Sequence, residues 1–181
     1  MCVCCRHALF EKANVHLERG EAQAAALLFT RSAAAFGKAA KAGRATQGTL
    51  LPTLLSNLGN ALTEIGRMGE ASDAYERAVA APPPTCLAYN GLSNCYEGLG
   101  RYEEARAASA RGVKLLPSCD LAHYNLGRLL RNAERSLEAS IAFTTAVAIK
   151  PTDKLCVRGP GASGRSHRAA PIAARPCSAH R

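Results

Sequence analysis

The sequence predicts an all-α fold made of repeated helical hairpins, and three observations lead to it. Apolar residues recur at three- and four-residue spacings almost throughout, with almost no alternating run that could form a strand. With Pro52 as position 1, the pattern of residues 52–85 returns in 86–119 and in 120–153, a period of 34. Position 20 then reads Ala71, Ala105 and Ala139, and position 32 reads Pro83, Pro117 and Pro151.

In chain order, residues 1–5 are a cysteine-rich N-terminus. Residues 6–39 fit the register loosely, with Ala13 at position 8, Gly20 at 15, Ala25 at 20 and Phe29 at 24, but Lys12 at 7 and Gly37 at 32. They predict a degenerate first hairpin. Residues 40–51 are a linker, or an extension of the preceding helix by about two turns before Gly43 or Gly48 breaks it. Three units follow over 52–153, divided as 52–85, 86–119 and 120–153.

Two antiparallel helices approach closely only where side chains are small, so Gly59 and Ala71, and their equivalents, are expected at the helix crossings. Larger residues fill the space within and between hairpins: Leu58, Leu62 and Tyr75, then Leu92 and Tyr96, then Leu126, Leu130 and Phe143. Gly66 and Gly100 at position 15 can take the left-handed conformation that ends a first helix, and the prolines near position 32 cannot continue a second one. The last unit departs with Glu134 at the glycine position. Ser109 and Gly112 leave the unit before it with less packing volume, so these two hairpins are expected to be the looser ones.

Residues 154–181 switch to Gly, Pro, Ser, Ala and Arg with few large apolar residues, and are expected to be a disordered basic tail because burial cannot offset their ordering entropy. They supply no amphipathic helix to cover the last hairpin, which raises the hypothesis of a truncated or alternatively ended form of a longer array. The formal net charge is +9, but six of those charges fall after Asp153 on a stretch without acids, leaving only three for residues 1–153.

The eight cysteines are irregularly spaced, and Cys86, Cys95 and Cys119 lie where small buried apolar residues are expected, so reduced thiols are predicted. The longest apolar run, Ala24 to Phe29, is far too short for a transmembrane segment. The expected location is the cytoplasm, with the nucleus as the alternative.

The motif SNLGNALTEIGRMGEASDAYERAVAAPP, with GRYEEA at 100–105 and YNLGRLL at 124–130, resembles the tetratricopeptide repeat family over 52–153 and, more loosely, over 6–39. The resemblance implies a right-handed superhelical solenoid whose first helices line a concave groove that binds peptides or partner proteins.

No phosphate loop, zinc-protease motif, nucleophile elbow or convergent Ser/His/Asp set is present, so no catalytic residue, metal ligand or cofactor is assigned. His16 and His123 fall at core positions of their units. Cys2, Cys4, Cys5 and His7 are too compact for a closed tetrahedral zinc site. S-acylation of these cysteines is a hypothesis beside the plainer reading of a frayed reduced terminus.

In the inward register, the groove lining includes Ser56, Asn57, Asn60, Asn90, Asn94, Tyr124, Asn125, Arg128 and Arg131. Side-chain amides both donate and accept, so a row of them can hold the backbone of an extended peptide. The alternative is that they are solvated polar positions. Asn57 and Asn125 at position 6, with Asn60 and Asn94 at position 9, resemble the asparagine ladder of the repeat arm in protein O-GlcNAc transferases, interrupted by Gly91. A truncated arm of such a glycosyltransferase-type protein is therefore one alternative. In chaperone-binding clamps of the family, basic residues grip a terminal carboxylate; the corresponding positions here are Phe10, Asn14, Asn57, Leu87 and Gly91, without a cation.

The sequence thus predicts a non-enzymatic scaffold for an unidentified protein or peptide. The runner-up is a pentatricopeptide-like RNA binder, suggested by the 35-residue step from Tyr89-Asn90 to Tyr124-Asn125. Most landmarks recur at 34, which favours the protein-binding register. The basic tail could add weak, salt-dependent attraction to nucleic acid.

Overall fold

A computed structural model describes residues 3–41 and 50–151, and within them the chain is helical with no strand. The helices are α1 (Val3–Glu18), α2 (Ala22–Lys41), α3 (Leu50–Glu64), α4 (Met68–Ala80), α5 (Cys86–Gly98), α6 (Tyr102–Leu115), α7 (Asp120–Asn132) and α8 (Ser136–Ile149). They pair as four hairpins. α1 takes in part of the cysteine-rich N-terminus, and α2 runs past Gly37, extending into the segment read as linker or helix extension. The rest of that linker, residues 42–49, and the basic tail lie outside the described residues.

The turns follow from position 15. Gly20, Gly66 and Gly100 take φ of +75°, +79° and +74°, and Glu134 takes +62° at the same place in the last hairpin. The left-handed residue satisfies the last carbonyls of the first helix and turns the chain back. The helices after Gly66, Gly100 and Glu134 each start on an arginine: Arg67, Arg101 and Arg135 pair with Glu70, Glu104 and Glu138 at 2.5, 2.5 and 2.7 Å. No side chain caps these three helices, and the glutamates place negative charge in the first turn, where the helix dipole favours it. The Arg101 hydrogen bonds hold the Glu104 carboxyl below its usual range. Pro83, Pro117 and Pro151 each fall two or three residues past the end of a second helix.

The crossings are packed as small residues allow. Ala13, Ala25, Ala71, Ala105 and Ala139 are all buried, as are Leu58, Leu62, Tyr75, Leu92 and Leu130. In the third hairpin Ser93 Oγ donates to the Ala105 carbonyl at 3.2 Å and pairs with Ser109 Oγ at 2.7 Å. A Cβ on Gly112 would lie 3.0 Å from Tyr89 Cβ. Ser109 and Gly112 thus both lie directly against α5. At the far end, α8 buries Ala139, Ala142 and Ala146 but leaves Leu137 and Ile141 exposed.

The expectation of reduced thiols is corrected at one pair. Cys86 and Cys119 form a disulfide, with Cα atoms 5.7 Å apart. The cause lies in the repeat: their separation of 33 is one short of the period, which puts the first residue of α5 beside the N-cap of α7. Cys95 is a buried thiol, pushed up by that burial, with Thr63 Oγ1 at 3.6 Å.

The layering positions the site. Each hairpin packs on the next, and the first helices also touch their own kind: α1 on α3, α3 on α5 and α5 on α7. The second helices α2, α4, α6 and α8 make no such contacts with one another. A stack in which one layer touches and the other fans apart curves toward the touching layer, so α1, α3, α5 and α7 form the inner wall.

Candidate functional site

Three seams make up the inner wall. Between α1 and α3, Asn57 Nδ2 donates to Asn14 Oδ1 at 3.0 Å. These are the two asparagines at clamp-like positions, and they face each other.

Between α3 and α5 the filler comes from outside the wall. The Tyr75 ring of α4 enters where Gly59 and Gly91 have no side chains; a Cβ on Gly59 would lie 2.6 Å from the ring, and one on Gly91 2.1 Å. Its hydroxyl reaches the inner wall and donates to Asn60 Oδ1 at 2.5 Å. Burial, reinforced by Cys95, raises the phenol well above its ordinary value. Gly91 is thus what Tyr75 requires, and an asparagine there would collide with the ring.

Between α5 and α7 the contacts are polar. Asn125 Nδ2 donates to Asn90 Oδ1 at 2.7 Å. Arg128 donates to Glu97 at 2.6 Å and to Asn94 Oδ1 at 3.2 Å. Arg128 and Glu97 are each about one-fifth exposed, so this pair is shielded more than the arginine–glutamate pairs at the turns. Tyr124 meets Phe143 with ring centroids 5.7 Å apart, and the exposed Arg131 guanidinium lies 6.0 Å from the Phe143 centroid.

Of the residues singled out from the sequence, Asn57, Asn60, Asn90, Asn94, Asn125 and Arg128 make contacts along the three seams, whereas Tyr124 and Arg131 lie against Phe143 of α8. Ser56 is fully buried, and its hydroxyl bonds back to the Pro52 carbonyl at 2.8 Å, as serine does within a helix. Asn125 is also buried, at 4 % exposure, while Asn57, Asn60 and Asn90 are half-buried and Asn94 is exposed. Glu97 and Tyr75 are site residues that the sequence reading does not single out. Tyr75 belongs to a second helix, and Glu97 lies at position 12, visible only once Arg128 of the next unit is placed beside it.

The wall offers amide donors and acceptors together with one charge-compensated arginine. Among the described residues no group of three or more His, Cys, Asp or Glu is placed to hold a metal ion, and no helix is long and apolar enough to cross a membrane.

Hairpins stacked at a fixed period, with one helix of each forming a continuous inner wall, define a helical-repeat solenoid. The chain belongs to the tetratricopeptide repeat family: the sequence model of that family matches residues 56–118 and 91–154, together more than half of the chain. No curated protein matches its sequence. Among solved structures it is similar to MamA residues 41 to the end from Desulfovibrio magneticus RS-1, at 18 % identity and TM-score 0.63, covering 83 % of this chain and 78 % of that one. YrrB, titled a TPR protein with an unusual peptide-binding site, matches at 21 % identity and TM-score 0.63, over 84 % of this chain and 72 % of that one. The first TPR of Spaghetti, bound to the HSP90 peptide SRMEEVD, matches at 19 % identity and TM-score 0.55, over 60 % of this chain and 86 % of that one. Identities this low establish a shared fold.

Proposed function

We propose that the protein is a non-catalytic interaction scaffold whose inner wall holds an extended segment of a partner protein. The observation behind this reading is the placement of Asn60, Asn90, Asn94 and Arg128 along α3, α5 and α7 with part of each side chain exposed. Asn60 and Asn94 each use a carbonyl oxygen toward the protein, to Tyr75 and to Arg128. The amide nitrogens are then the groups that can donate to a peptide carbonyl. Two of the structural neighbours are titled as peptide-binding, which supports the class of ligand.

The charge pattern narrows the ligand. Arg128 is paired with Glu97 and Arg131 lies toward the Phe143 ring of α8, so among the described residues of this seam no two free cations converge on a terminal carboxylate. The segment bound is therefore an internal, extended stretch held by its backbone. A peptide array probed with the full chain should yield binders whose affinity falls about tenfold in Asn94→Ala, the loss of one hydrogen bond. Removal of 154–181 should leave that binding intact. Binders that ignore both Asn94→Ala and Asn60→Ala, or that disappear with the tail, would overturn the reading.

A further inference from the structure

The α5–α7 seam carries a covalent link that peptide binding does not call for. Cys86 opens α5, and Cys119 caps α7, its sulfur accepting from the Ala122 amide at 3.3 Å. Cys119 is buried and Cys86 is partly exposed. Beyond the pair, on the same two helices, come the Asn90–Asn125 bond and then the span of Arg128 to Asn94 and Glu97. The link therefore stands at the head of a row of contacts that hold α7 to α5.

The two sulfurs are chemically unequal. A thiolate arriving from solvent reaches Cys86, the more exposed one. Cys119 then departs as a thiolate into the N-terminus of α7, where a backbone N–H already points at it and the helix dipole favours negative charge. Asp120 next to it opposes this effect, but Lys150 lies 3.9 Å from that carboxylate.

We propose that Cys86 and Cys119 are a reversible thiol–disulfide exchange site for a low-molecular-weight disulfide of the glutathione class, and that closing it locks α7 against α5. In the closing direction the Cys86 thiolate attacks one sulfur of glutathione disulfide and expels one glutathione thiolate. The Cys119 thiolate then attacks the Cys86 sulfur of the mixed disulfide and expels the second. Opening is the reverse, so two protein thiols and one glutathione disulfide exchange for one protein disulfide and two glutathiones, with no other oxidant.

The test equilibrates the full chain in glutathione buffers of graded oxidised-to-reduced ratio, alkylates, and maps the cysteines by mass spectrometry. Hydrogen exchange is followed in parallel at the first turns of α7. The Cys86–Cys119 peptide pair should appear with oxidised glutathione and disappear with reduced glutathione. Closing should slow exchange at the start of α7 about tenfold. Cys86→Ser, which keeps the Cys119 cap, should fold and show no redox effect on that exchange. Independent alkylation of the two cysteines in oxidised glutathione, or a pair that reduced glutathione never opens, would overturn the proposal. So would unchanged exchange on closing, or a redox effect that persists in Cys86→Ser.

Discussion

Two neighbouring seams of the inner wall solve one packing problem in opposite ways. The α3–α5 seam is closed by shape, with the Tyr75 ring set into the space above Gly59 and Gly91. The α5–α7 seam is closed by directed contacts: an amide pair, an arginine shared by Asn94 and Glu97, and a disulfide at its head. Repeat units need only match at each interface, so an array can use dissimilar interfaces in succession. The shape-closed seam tolerates no added atom. The polar seam depends on each partner being present.

The largest effect should come from adding a methyl group at the shape-closed seam. Alanine inside a helix normally gains about 0.5–1 kcal/mol over glycine. At Gly91 that gain meets a Cβ position 2.1 Å from a ring that is 2 % exposed and tied to Asn60, so the clash decides the sign. Gly91→Ala should destabilise by about 2–3 kcal/mol in urea unfolding, through overpacking. Gly37→Ala, in α2 with nothing within 4 Å, should instead stabilise by about 0.5–1 kcal/mol. If the two substitutions shift stability in the same direction, the Tyr75 wedge is not what closes this seam.

The polar seam should respond less, and through coupling. Arg128 and Glu97 form the most shielded arginine–carboxylate pair on the wall, and removing either leaves the other, and Asn94, with a lost partner. A double-mutant cycle on Arg128→Ala and Glu97→Ala should give a coupling of about 1 kcal/mol that weakens in high salt. Coupling indistinguishable from zero would place this pair with the exposed arginine–glutamate pairs at the turns, which contribute little.

What the sequence made legible was whatever depends on position within one unit. The alanines at position 20, the left-handed Gly66 and Gly100, and the departure at Glu134 can all be read from a single hairpin, because local sterics dictate them. Contacts between units depend on how far one hairpin rotates against the next, and the period alone does not say that. Gly91 therefore reads as a gap in a ladder of asparagines until Tyr75 is seen to need it. Cys86 and Cys119 read as separate buried thiols until adjacent helix starts bring them together. The asparagines could be assigned to a face, but their pairing with Asn14, Tyr75 and each other required the stacking.

The smallest effect expected lies on the outer side of the shape-closed seam and appears only at high pH. The Tyr96 hydroxyl of α5 donates to Glu76 of α4 at 2.6 Å, with the Arg101 guanidinium 4.5 Å from the ring centroid. Burial first, then the Glu76 carboxylate, pushes its phenol up to about 12. A folded-state value above the unfolded one means that neutral Tyr96 is favoured by folding. Its contribution is complete below about pH 10 and is lost as pH rises from there toward about 12. Tyr75, also raised, loses its contribution over alkaline pH in both proteins, so the measurement is the difference between wild type and Tyr96→Phe. That difference in urea midpoint should be constant from pH 8 to about 9.5 and should shrink above pH 10 as the wild type loses its advantage. A difference that stays flat through pH 11.5 would mean that the Tyr96–Glu76 bond does not hold α5 to α4.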